Sequence, residues 1–169
     1  MSMQTDVLSV HLHESGFAVN QPTRLKAFGA RGTATAGQLD IFDTTSVPVA
    51  ATYGQVGYVV TVTKVAHGLK TGQKVGIAFE AGTGGTPNSG AFTITVLTAD
   101  TFTVTTLNSR SITAGADCRY ALGGWVVTIE LAAGDSFNNY ALLPGQGILA
   151  REGIYVYMLN LSACNIYYG

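Results

Sequence analysis

The sequence predicts an all-β protein: a β-sandwich base domain carrying a small inserted β-barrel-like module. Three observations lead there. Apolar and polar residues alternate at period 2 through several runs, the pattern of a strand with one buried face. Turn residues punctuate those runs at the spacing of roughly 8–12 residues that sandwiches and barrels show. Charge is scarce: 11% of the 169 residues are charged, beside 47% hydrophobic residues and 21 glycines. A typical soluble domain carries roughly 25% charge, so this surface is polar but uncharged, and part of it is expected to be covered by partner subunits.

Val7–His13, Thr23–Ala30 and Gly37–Phe42 read as the opening strands. Val59–Val65 (VVTVTKV), Phe92–Thr98 (FTITVLT) and Thr101–Thr105 (TFTVT) alternate most regularly. Thr suits their outward positions, because its branched Cβ fits a pleated surface while its hydroxyl stays wet. Trp125–Leu131, Tyr140–Leu143, Gly153–Leu159 and Cys164–Tyr168 complete the set, with turns at Gly16, Gly29, Gly32, Gly68, Gly72, Gly115, Gly134–Asp135 and Pro144–Gly145. Asp135–Leu142 is the best helix candidate, but it lacks a 3.6-residue period and contains Asn138–Asn139, so it is read as non-helical.

Composition shifts twice along the chain. Residues 56–122 are dense in Thr, Val and Gly, whereas the flanks carry longer aliphatic and aromatic side chains. Neither flank alone has enough strands for a stable sandwich. The expected organisation is a discontinuous base domain, residues 1–55 and 123–169, with residues 56–122 inserted at a loop tip, where insertion is tolerated. Tyr53–Gly57 and Gly123–Gly124 would be the two linker strands.

Several function classes recede. Net charge is −1 and the nine Lys and Arg are scattered, so no nucleic-acid footprint is expected. No apolar run approaches the ~20 residues of a membrane helix. Aromatic and β-branched residues are too frequent for a disordered chain. Met1–Val7 lacks a charged stretch followed by an apolar one, so no signal peptide is expected. Cys118 and Cys164 read as thiols of a protein made in the cytosol.

No catalytic, cofactor or metal site is expected. His11 and His13 share a strand face and could supply two zinc ligands, but a third ligand is wanting, so they read as edge or interface histidines. His67 reads as part of a turn. Asp40 and Asp43 do not share a strand face and Glu130 and Asp135 straddle a turn, so neither pair suggests a glycosidase. Ser136 and Ser162 lack a nucleophile-elbow context. Gly82–Gly90 has no following Lys-Ser/Thr, so it reads as a flexible hairpin tip rather than a phosphate loop. Tyr155, Tyr157, Tyr167, Tyr168 and Trp125 are the candidate interface residues, because Tyr and Trp are enriched where proteins meet. A sugar-stacking platform is the alternative role for them.

The segment from Val60 to Thr105 resembles a small β module found repeatedly in phage tail and virion proteins. That module is often labelled after the first catalytic cysteine half-domain of ubiquitin-activating enzymes. The resemblance lies in the V-T-V-T strand, the A-H-G-L turn at Ala66–Leu69, T-G-Q-K-V at Thr71–Val75, G-A-F-T-I-T-V at Gly90–Val96 and D-T-F-T-V at Asp100–Val104. Ser89 stands where the family usually has a longer polar residue, often Asn. The matched core has no cysteine, Cys118 lying after it, so no ubiquitin chemistry is implied. Arg24–Gly29, Gly37–Asp43 and Leu143–Ile154 resemble segments of short virion proteins of tailed phages. The resemblance implies a non-enzymatic virion structural protein without cofactors, in the first instance a capsid decoration or cement protein. Its base would dock and its insert would project. A tail or head–tail connector subunit is the alternative, and a carbohydrate-binding adhesion module is the rival from another class. The implied partners are major capsid or tail proteins and further copies of the chain, a trimer by analogy, with a glycan for the adhesion reading. Neither nucleic acid nor membrane is an expected partner.

Overall fold

The computed structural model describes residues 7–169, taking Ser136–Leu142 as backbone. The leader reading at Met1–Val7 therefore falls outside it except at Val7, as does the side chain of Ser136. The chain is all-β: no helix occurs among the described residues, and 65% lies in strands.

The strands run in order β1 (Leu8–Leu12), β2 (Gly16–Val19), β3 (Thr23–Gly32), β4 (Gly37–Asp43) and β5 (Val49–Thr63). Next come β6 (Lys74–Phe79), β7 (Gly90–Thr93), β8 (Thr95–Val96) and β9 (Thr101–Leu122). The last are β10 (Gly124–Leu131), β11 (Ser136–Leu142), β12 (Ile148–Ala150), β13 (Ile154–Leu159) and β14 (Leu161–Tyr168). They divide between two compact units: the described residues up to Thr45 with Val126–Gly169, and Ser46–Trp125.

The first unit is a sandwich of two antiparallel sheets. One has the order β1-β14-β3-β11, with β12 also on β3; the other has the order β10-β4-β13-β2. Alternate residues meet between them: Phe28, Ala30, Cys164 and Ile166 from the five-stranded sheet, and Leu39, Ile41, Leu131, Ile154 and Val156 from the four-stranded one. Strict alternation would point Leu25 away from this core, because it lies three residues from Phe28. A bulge corrects the phase. Tyr167 pairs with Ala27 but Tyr168 pairs with Leu25, so Lys26 is an extra residue against β14, its carbonyl accepting from Leu143 N–H at 2.9 Å, and both Leu25 and Phe28 turn inward. β4 is buried on both faces as far as Phe42.

The second unit is one sheet of order β5-β9-β6-β7, with β8 also on β9. β9 is 22 residues long. It takes β8 along its first part, at Phe102 and Thr103, and β6 along its last, at Cys118–Leu122. Since only Ile94 separates β7 from β8, the sheet has to curl, and it does so around Tyr53, Val60, Val62, Ile77, Phe79, Ile94, Phe102, Val104 and Tyr120.

β5 and β9 slip register twice. Tyr53 pairs with Ala116 and Gln55 with Ile112; Gly57 pairs with Arg110 and Val59 with Thr105. β9 thus carries the extra residues each time, and the inward phase of β5 changes from Tyr53 and Gln55 to Val60 and Val62. Gly54 makes the first slip feasible: a Cβ there would lie 2.9 Å from Ala114 Cα. Tyr53–Gly57, expected as a linker strand, lies within β5, where Tyr53 is a core residue. Gly115, expected as a strand boundary, lies inside β9 at φ +111. β2 was not foreseen. The Gly-rich segment after β6 closes a tight turn through reciprocal Gly82 and Gly85 backbone hydrogen bonds, both 3.1 Å. It packs on β9: a Cβ on Gly84 would lie 2.3 Å from Ser111 O.

Candidate interaction surfaces

The sandwich strands distribute the aromatic candidates over several surfaces rather than one stripe. On β13 the inward residues are Ile154 and Val156, so Tyr155 and Tyr157 face away from the core. Tyr155 is only 7% exposed and meets Phe17 edge to face, with centroids 4.9 Å apart and planes at 86°. On β14 the inward residues are Cys164 and Ile166, so Tyr168 leans on the core and Tyr167 lies on the opposite face. Trp125 is half-buried and closes the other unit.

The carboxylates near Tyr157 are structural. Asp40 is fully buried and pairs in register with Tyr157. It accepts hydrogen bonds from Gln38 Nε2 at 2.9 and 3.1 Å and from the Thr128 hydroxyl. Asp43 caps the turn before β13, accepting from the backbone N–H groups of Arg151 at 3.0 Å and Glu152 at 2.8 Å. His67 also serves its turn. Its Nδ1 accepts from Leu69 N–H at 3.0 Å, its Nε2 lies 3.1 Å from Thr98 O, and its ring meets Phe102 edge to face.

Cys118 and Cys164 are free and buried, one in each unit. Burial pushes the Cys164 thiol from 9.0 up to about 12. Burial also pushes Cys118 well above its ordinary value, with the Glu80 and Asp117 charges adding to it. Tyr53 rises from 10.0 to about 12, mainly by burial, and donates its hydroxyl hydrogen to Glu80 O at 2.6 Å. Neither thiol is poised as a nucleophile, since that needs the thiolate.

The surface that sequence reasoning missed lies at the second register slip. Tyr58 alone faces the four residues Thr106–Ser109, and this part of the ribbon exposes large apolar groups. Leu107 is 87% exposed, Val56 81%, Tyr58 55% and Val59 46%. A polar staple holds them in place from beneath. Gln55 Nε2 faces Gly57 O at 2.8 Å, Thr106 Oγ1 at 3.0 Å and Asn108 O at 2.6 Å. The signal was in the sequence: Leu107 continues the odd-numbered polar register of Thr101, Thr103 and Thr105, and Val59-Val60 places apolar groups on both faces.

One cleft of about 600 Å³ lies in the sandwich unit, lined by His11, His13, Gly29–Gly32 and Ser162–Asn165. Among the described residues, no three His, Cys, Asp or Glu side chains gather as a metal cage. No protein-family model matches the chain, and no curated protein matches its sequence.

Proposed function

We propose that this chain is a non-enzymatic structural subunit of a phage particle, in the first instance a capsid decoration protein. The apolar group of Val56, Tyr58, Val59 and Leu107 carries the reading. Large apolar side chains exposed together on one short stretch of paired strands support a contact site, and here they sit on a stapled bulge instead of a loose loop. The sandwich would supply the docking base, and this ribbon a brace to a neighbouring subunit. The scarcity of charge supports assembly, since interface cores are depleted in charged residues. The scarcity of ionisable groups argues against catalysis, which needs convergent titratable side chains. The phage character rests on the motifs between Val60 and Thr105.

The test is native mass analysis of the chain beside co-sedimentation with phage heads that lack it. Saturation at a fixed copy number is expected, lost in a Val56→Asp, Leu107→Asp variant that remains folded. A monomer that ignores heads but binds tails moves the assignment to the tail or the head–tail connector. Saturable binding to a glycan, with no particle binding, overturns the structural reading in favour of an adhesion module.

A further inference from the structure

His11 and His13 sit on and just past β1, an edge strand of the five-stranded sheet. Both rings are exposed and both line the cleft on the sheet face opposite the core. Their centroids are 4.4 Å apart and their planes stand at 85°. With metal–nitrogen bonds of about 2.0–2.1 Å, two imidazoles on adjacent positions of one ion hold their centroids roughly 4.5–5.5 Å apart. Near-perpendicular planes are compatible with that arrangement. A small turn of either exposed ring therefore brings the pair to chelating distance.

The orientation of His11 is also set. Its Nδ1 lies 2.6 Å from Asn165 Oδ1, the residue opposite it in the β1–β14 register. In the neutral tautomer that donates Nδ1–H to that oxygen, Nε2 presents its lone pair. This is how an outer-shell partner fixes a histidine ligand. The floor beneath is Gly29 and Ala163, leaving room for solvent to complete the coordination.

We propose that His11 and His13 form a two-imidazole chelating site for a borderline divalent transition ion, zinc in the first instance, with Asn165 as the positioning residue. Imidazole ligands suit zinc, nickel and copper over magnesium or calcium. No third protein ligand joins them among the described residues, so the remaining positions are open to water or to a donor from a partner. Arg31 lines the same cleft and opposes the bound cation. The site stands independently of the assembly reading.

The test uses the full chain without a histidine tag, titrated with zinc by calorimetry and with copper by electron paramagnetic resonance. One ion per chain is expected, with coupling to two imidazole nitrogens in the copper spectrum. His11→Ala and His13→Ala should each weaken binding at least tenfold and remove one nitrogen coupling. Asn165→Ala should weaken it by roughly tenfold while keeping both couplings, and Arg31→Ala should tighten it. No saturable zinc binding below about 1 mM, or binding that persists in the double alanine variant, would overturn the proposal.

Discussion

Gln55 Nε2 lies 3.0 Å from Thr106 Oγ1, with both side chains sealed from solvent where β5 and β9 lose register. The Thr106 hydroxyl also approaches Tyr58 O at 3.3 Å and Asn108 O at 3.2 Å. One amide and one hydroxyl thus reach the carbonyls of Gly57, Tyr58 and Asn108 where the ladder slips. The amide cannot be reversed, since its oxygen would then face two carbonyls. Gln55→Ala removes a donor from buried acceptors and should cost about 1–3 kcal/mol. Thr106→Val should cost less, and the double variant should fall short of the sum because the two share partners. Urea unfolding followed by Trp125 fluorescence, the single tryptophan, measures all three.

Asp40 is held by the neutral donors of Gln38 and Thr128. Asp40→Ala removes the carboxylate that both donate to inside the sandwich unit and should cost about 2–4 kcal/mol. Asp40→Asn keeps one acceptor oxygen and should cost less. Equal losses in thermal unfolding would refute this ordering.

The bulge at Lys26 makes a length prediction. Deleting Lys26 leaves Leu25 and Phe28 two residues apart, on one face of a regular strand, so the sandwich should stay folded, with a cost of about 1–3 kcal/mol for the backbone bond from Leu143 N–H to Lys26 O. Lys26→Ala keeps the extra residue and loses only an exposed contact from Nζ to Gln146 O, a change within about 0.5 kcal/mol. Circular dichroism and proteolysis check both variants, and a sandwich unfolded by the deletion would refute the bulge reading.

The buried thiols predict alkaline sensitivity. Cys164 has its folded value raised from 9.0 to about 12, so between those values the folded state holds a proton that the unfolded state has released. Its stabilising contribution is complete below pH 9.0 and is lost as pH rises toward 12. The slope is about 1.4 kcal/mol per pH unit at most for one thiol. Tyr53 and Cys118 act in the same direction in the other unit. Cys164→Ala should flatten the alkaline slope of the sandwich unit, although it lowers stability at neutral pH. An unchanged slope would reject this origin.

Local alternation made Val59–Thr63, Phe92–Val96 and Thr101–Thr105 legible, because each buries alternate side chains and so writes period 2 into its residues. It also marked Leu107 as an apolar group in a polar register, although that signal went unread. Where the pattern broke, reading stopped: Gly115 looked like a turn, but its positive φ falls within β9. β12, with three residues, is too short to show a period at all.

The chain's own residues determined that it is all-β, and where most strands begin and end, since burial of one strand face is a local property of consecutive side chains. Tertiary structure alone decided which strands pair, that Gln55 and Thr106 staple one bulge, and that Asn165 meets His11 across 154 positions. Those relationships join residues far apart in the chain, and only the antiparallel ladder, which sets one strand's register against another's, brings them within bonding distance.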